Sequence, residues 1–133
     1  MSNKVTFDYA TIRVVPRVER EEFLNVGVIV SCPALGFLEA RIELEINRLK
    51  AFAPTLDIDS IREYLNTIPK ICTGDPDSGP IGQLPQRSRF YWLTAPRSTI
   101  IQTSPVHTGF CSSANSAIEH LLNTMVRQPP REV

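Results

Sequence analysis

The run Phe23 to Cys32, FLNVGVIVSC, constrains this chain more than any other stretch of it. Its β-branched residues follow one another almost without a polar break. Such a run is stable as a strand only where both faces of the sheet are covered. A central strand requires neighbours on either side. Upstream, Phe7 to Val15 mixes Tyr, Thr, Ile and Val around Arg13, the composition of a strand, and Pro16 ends it. Downstream, Pro33-Ala34-Leu35-Gly36 makes a four-residue turn, so Phe37 to Glu43 returns as an antiparallel partner. The amino third reads as a three-stranded β-meander.

Helical signals follow. Glu45 to Ala53 predicts a short helix stopped by Pro54. Asp57 or Asp59 can cap a second one running to about Thr67, with Ile58, Ile61, Leu65 and Ile68 on one apolar face and Pro69 near its end. Thr73 to Gln86, with three prolines, three glycines and two aspartates, predicts a long loop. Strand composition resumes at Arg89 to Thr94 and at Ser98 to Ser104, a carboxyl-terminal hairpin around Ala95-Pro96, and Pro105 terminates it. Ser112, Ser113 or Ser116 can then cap a closing helix. Ser116 with Glu119 fits the capping-box spacing, and Ile118, Leu121, Leu122, Met125 and Val126 trace one face before Pro129-Pro130.

The order predicts an α+β fold: a mainly antiparallel sheet, built from the amino-terminal meander and the carboxyl-terminal hairpin, with about three packed helices. A length of 133 residues suits one domain, 1–133, with an ordered core over about 7–126, and is enough to bury a core without disulfides or a structural metal. The longest apolar run, Val26 to Val30, is far too short to cross a membrane, and the amino end MSNKVTFDYA lacks the apolar region of a signal peptide. A cytoplasmic location is the expectation. Cys32, Cys72 and Cys111 are odd in number, widely spaced and without CxxC pattern, so they read as reduced, mostly buried thiols.

Functional chemistry concentrates in Gln86 to Phe110, QRSRFYWLTAPRSTIIQTSPVHTGF. It holds three arginines, the only tryptophan, one of two histidines and seven Ser/Thr hydroxyls, but no Asp or Glu. Guanidinium forks and hydroxyls without competing acids favour an anionic partner such as a phosphate-bearing ligand. Net charge is zero overall, yet residues 81–133 carry five arginines against two acids, whereas residues 39–80 carry eight acids against five bases. An imbalance of this size falls short of the clearly basic domain that nucleic-acid binding demands. No GxGxxG, P-loop, GxSxG or HExxH pattern is present. No clustered ligands suggest a metal, and no cofactor is implied.

Strand alternation in RSRFYWL would place Arg87, Arg89, Tyr91 and Leu93 on one face, opposite Ser88, Phe90 and Trp92. With Arg97, Ser98, Gln102, Ser104, His107 and Thr108 these side chains make up the candidate binding surface. His107, in SPVHTG just past a strand end, can act as general acid or base, donate to a phosphate, or simply satisfy a backbone carbonyl in a tight turn. Arg97 can bind an anion or pair structurally with Glu21 or Glu22; Ser104 and Thr108 fit turn formers better than nucleophiles. In PRVEREEFLNVGV, Glu21 is a further acid/base candidate, although a solvated loop with internal ion pairs is the ordinary explanation. Asn25 is polar inside an apolar run, so its amide is either held by neighbouring backbone or turned to a ligand beside Gly27.

The runs DYATIRVVPRVEREEFLNVGVIVSCP, LPQRSRFYWLTAPRSTIIQTSPVHTG and ANSAIEHLL resemble the bacterial family known as domain of unknown function 3037, over nearly the whole chain from about Phe7 to Val126. The resemblance implies no activity and assigns no catalytic residue. It implies a partner, since members are frequently encoded beside a kinase-like protein resembling the HipA toxins. Two readings follow. One is a small regulatory interaction module whose Arg/hydroxyl face docks on such a kinase. The other is an enzyme acting on a phosphorylated or nucleotide-like substrate, with Arg97 clamping the anion, His107 as acid/base and Glu21 assisting. Exposed strand edges also allow a homodimer.

Overall fold

The computed structural model describes residues 3–129. Strands β1 (Val5–Val14), β2 (Leu24–Cys32) and β3 (Phe37–Ile42) form the expected meander, each antiparallel to the next. A 3-10 turn at Pro33–Leu35 joins β2 to β3, and Gly36 closes it at φ 60°, where the absence of a Cβ removes the steric cost. Helices α1 (Ile46–Phe52), α2 (Ile58–Thr73), α3 (Gly79–Gly82) and α4 (Gln86–Thr94) follow, then β4 (Ile101–Thr103), β5 (His107–Cys111) and α5 (Ala114–Met125). The fold is α+β, with a five-stranded antiparallel sheet ordered β3-β2-β1-β4 and β5 also lying against β1.

The apolar run in β2 serves two cores because its register slips once. Ile12 faces Gly27 but Arg13 faces Asn25, so Val26 is an extra residue. Before this bulge Leu24 and Val26 point to the layer of α1, α2 and α4; after it Val28, Val30 and Cys32 point to α5, and Ile29 takes the first side. On the first side Ala10, Ile12 and Val14 meet Leu49, Ile61, Leu65, Ile68, Phe90 and Leu93. On the second, Phe7 and Cys111 meet Ala114, Ile118, Leu121, Leu122 and Val126. The bulge also turns Asn25 toward α5, where its Nδ2 donates to the Met125 carbonyl at 3.0 Å, so backbone holds the nitrogen of the amide while its Oδ1 is buried without a partner among the described residues.

Five sequence expectations need correction. The segment Arg89 to Thr94 is not a strand: it lies in helix α4, which buries Phe90 and Leu93, one turn apart, so the supposed two-faced alternation of Arg87, Arg89, Tyr91 and Leu93 does not exist. The carboxyl-terminal strands do not form a hairpin with each other. β4 pairs with Ile12–Val14 and β5 with Val5–Tyr9, consecutively along the free side of β1. Helix α2 continues past Thr67 and through Pro69 to Thr73, because Ile68, Ile71 and Cys72 are buried and Gly74, at φ 71°, closes it. Its start is as expected, with the Asp57 side chain accepting from the Ser60 N–H. The stretch Thr73 to Gln86 is not one open loop but a string of turns, a 3-10 turn at Pro76–Ser78 followed by α3. At the last helix Ser113 is the cap, accepting from the Ser116 N–H, and Glu119 faces arginines rather than closing a capping box with Ser116.

Candidate functional site

The three arginines of the acid-free block are all bound within the molecule, each to groups distant in sequence or at a helix end. Arg87, in the first turn of α4, reaches over the sheet to a row of three neighbours in register: Ser31 on β2, Asp8 on β1 and Thr108 on β5. Its Nη1 donates to Ser31 Oγ at 2.8 Å, its Nη2 pairs with the Asp8 carboxylate, and its Nε donates to the Tyr91 hydroxyl at 3.2 Å. Thr108 Oγ1 donates to the other Asp8 oxygen at 2.7 Å. Burial pushes the Asp8 carboxyl up, but the Arg87 and Thr108 hydrogen bonds and the Arg87 charge outweigh it and hold the group below the ordinary carboxylate range. The cluster is mutually satisfied: one acid, one base and three hydroxyls.

Arg89 and Arg97 have a different partner chemistry. The last carbonyls of a helix lack intrahelical donors and form the negative end of its dipole, so a guanidinium placed there satisfies several at once. Arg89 donates to Ile71 and Cys72 carbonyls at the end of α2, at 3.0 and 2.5 Å, and to the Leu84 carbonyl at 2.9 Å. Arg97 donates to the Trp92, Leu93 and Ala95 carbonyls at 2.6, 3.1 and 3.2 Å, closing the end of α4, and its guanidinium lies 4.5 Å from the Trp92 ring centroid. Neither Glu21 nor Glu22 is its partner; Glu22 pairs with Arg20.

The remaining predicted residues scatter. Ser98 is exposed in the turn before β4, and Gln102 donates to the Thr99 carbonyl at 2.9 Å. Ser104 sits where β4 ends and Pro105 interrupts the ladder; its hydroxyl accepts from the Thr11 N–H at 2.9 Å in place of a backbone carbonyl. His107 is the first residue of β5 rather than part of a turn, exposed, with its ring 5.6 Å from that of Tyr9, its partner in register. Glu21 stands exposed at φ 57° in the turn before β2, beyond the Val14 end of β1. Ile101 pairs with Val14 and His107 with Tyr9. Five residues of β1, roughly 16 Å, therefore separate the Arg97 and Glu21 end of the sheet from His107. The fold does not bring the three together.

Besides exposed polar residues such as Ser98 and His107, the block contributes to an apolar surface. Between α2, α4 and β4 runs a groove of about 160 Å³ lined by Tyr64, Ile68, Ile71, Trp92, Leu93 and Ile101, with Arg97 and Gln102 at its rim. It continues across Tyr64 and Ile101 into an open apolar surface with Ile61, Thr99 and Ile100. Tyr64, Trp92 and Ile100 remain 45, 40 and 42 % exposed despite their size. Sequence reasoning missed Tyr64 and Ile100 as surface residues and missed Asp8 and Ser31 altogether. The signal for Asp8 was present: at i−2 from Ala10 it falls on the strand's apolar face, where an acid needs a partner.

Among the described residues no helix is long and apolar enough to cross a membrane, and no group of three His, Cys, Asp or Glu is positioned to hold a metal ion. No curated protein and no solved structure matches the chain. A family model described as Protein of unknown function (DUF3037) matches residues 9–126, from the middle of β1 to the residue after α5, so the chain belongs to this family.

Proposed function

We propose that this chain is a non-catalytic interaction module that docks on a protein partner through the groove between α2, α4 and β4. One observation carries the reading: Arg87, Arg89 and Arg97 are committed to internal carbonyl, hydroxyl and carboxylate acceptors, while Tyr64, Trp92 and Ile100 of the adjoining surface stay exposed. Aromatic side chains in a groove with a polar rim are the usual anchors of a protein interface. The partner that the family resemblance suggests is a HipA-like kinase, and modulation of that kinase is the proposed role. The setting is the cytoplasm, where the three free and buried thiols Cys32, Cys72 and Cys111 stay reduced.

The test is titration calorimetry of the purified chain against a HipA-like kinase. Binding should be saturable, and Ile100→Asp or Trp92→Ala should weaken it about tenfold or more. Failure of the wild-type chain to bind, or equal binding by both variants, would reject the groove as the docking surface. Turnover of a phosphorylated substrate that is lost in His107→Ala would instead favour an enzyme built around His107.

A further inference from the structure

From Ser98 to Ile118 the sequence contains no Asp, Glu, Lys or Arg. This stretch supplies β4 and β5, the whole of one sheet edge. Exposed edges are normally blunted by charge, by proline within the strand or by a covering element. β5 has none of these along its length, His107-Thr108-Gly109-Phe110-Cys111, and among the described residues nothing pairs with its outer side. Phe110, the fourth of the five residues of β5, is 71 % exposed, more than any other large apolar side chain of the described residues.

The hydrogen-bond pattern fixes which backbone groups face outward. The Val15 N–H donates to the Ile100 carbonyl and the Ser104 N–H to the Thr11 carbonyl, so the odd residues of β1 bond toward this side. In β5 their partners are His107, Gly109 and Cys111. Thr108 and Phe110 therefore turn their N–H and C=O groups away from the sheet.

We infer that the outer edge of β5 pairs antiparallel with β5 of a second copy of this chain, about a twofold axis through Gly109. That register is the only one in which all five residues of the strand find a partner. Thr108 then faces Phe110 of the other copy, and the two outward residues exchange backbone hydrogen bonds twice, once on each side of the axis. Gly109 meets its own counterpart in the close, non-bonded position. Its bare Cα suits that position, and on this molecule the Phe7 ring already occupies the space a Cβ would take, at 2.8 Å. Each Phe110 lies across from a Thr108 whose hydroxyl is held by Asp8. A second copy suits the edge because a twofold axis opposes each residue with its own kind of neighbourhood, and a strand free of Asp, Glu, Lys and Arg raises no repulsion there. The pairing uses a surface separate from the docking groove and stands independently of the proposed function.

Sedimentation velocity of the full chain, from low micromolar to near-millimolar, tests the inference together with amide exchange. The expected result is a concentration-dependent dimer in which the Thr108 and Phe110 amides become protected as the dimer fills. Phe110→Lys, which sets two cations beside the axis, should raise the dissociation constant about tenfold or more with an unchanged circular dichroism spectrum. A chain that stays monomeric throughout overturns the proposal. So does a dimer that survives Phe110→Lys, or one that forms while the Thr108 and Phe110 amides exchange freely. Thr108→Pro, which deletes an outward N–H donor and leaves the backbone bonds to β1 in place while giving up the side-chain bond to Asp8, should also shift the equilibrium to monomer.

Discussion

The two edges of the sheet are handled in opposite ways. β3 carries Glu39 and Arg41 on the face that looks toward α5, Glu43 follows directly after the strand, and each is engaged: Arg41 donates to Glu39 at 2.8 Å and to Asn115 and Glu119 of α5 at 3.3 Å, while Arg127, just past α5, donates to both oxygens of Glu43 at 2.7 and 2.6 Å and pairs with Glu119. Charge seals this edge by tying it to a helix of the same molecule. The β4–β5 edge has no Asp, Glu, Lys or Arg, and two of its polar side chains, Thr108 and Ser104, bond inward to β1. Hence the edge proposed to receive a partner strand is the one that lacks fixed charges.

Two glycines, Gly27 on β2 facing the β3 edge and Gly109 on β5, break this comparison most sharply. Gly27 pairs with Ile42, and a Cβ on it would sit 2.6 Å from the Arg41 carbonyl oxygen, a backbone atom held by the ladder. Gly27→Ala must push β3 away from β2. The expected loss is about 2–4 kcal/mol in urea unfolding, with the ions of β3 separated from α5 as a consequence. Gly109→Ala on the other edge meets the tip of the Phe7 side chain at 2.8 Å, which can rotate at the expense of its packing, so a smaller loss of about 1–2 kcal/mol is expected. Equal losses at the two positions would show that the β3 edge is no more tightly held than β5.

How far each region was legible from sequence follows the same division between local and distant partners. The meander announces itself because β-branched runs and the Pro33 to Gly36 turn are local signals, and α2 announces its first three turns through Ile58, Ile61, Leu65 and Ile68. α4 is misread because Phe90, Tyr91 and Trp92 carry strand propensity while the helix has only Phe90 and Leu93 to bury, too few for a periodic stripe. The i,i+4 pair Arg87 and Tyr91, with Pro85 before the helix, was the available signal. The binding face was misjudged for a physical reason. An acid-free sequence block says nothing about acceptors supplied from elsewhere, and here helix-end carbonyls at Ile71, Cys72 and Trp92, with Asp8 some eighty residues upstream, take up the guanidinium donors. That the fold class survived the misplaced helix reflects how little of the sheet depends on α4.

Asp8 offers a finer test, since it joins the open edge to the interior through Thr108 and Arg87. Its folded-state pKa lies below the ordinary value near 3.9, so the stability it contributes is present in full above that range and is lost as pH falls through the folded value. Asp8→Asn should lower stability by about 1 kcal/mol at neutral pH, a figure kept small because the Arg87 side chain is 36 % exposed. The wild type and the variant should then converge in denaturant titrations as the solution is acidified below pH ~4. A gap that persists at the lowest pH would mean that Asp8 acts through packing rather than charge.

Arg127 defines the smallest effect and the sharpest contrast between the edges. Hydrogen bonds to Glu43 and Glu119 raise its pKa, and the same contact with Arg127 leads the depression at Glu43, with burial opposing it. The participating side chains are a third to a half exposed, so most of their mutual attraction is screened. Arg127→Met should therefore lower the melting temperature only slightly in dilute buffer, and the decrement should shrink as salt is added. The depressed Glu43 adds a second signature: its stabilisation exists above the ordinary glutamate range and fades on acidification, so the variant should lose part of the wild type's acid sensitivity. If α5 instead came away from β3, with Glu39 to Ile42 amides exchanging rapidly in Arg127→Met, the charged network would be the main fastening of that edge rather than a guard over it, and β3 would become a second surface open to strand pairing.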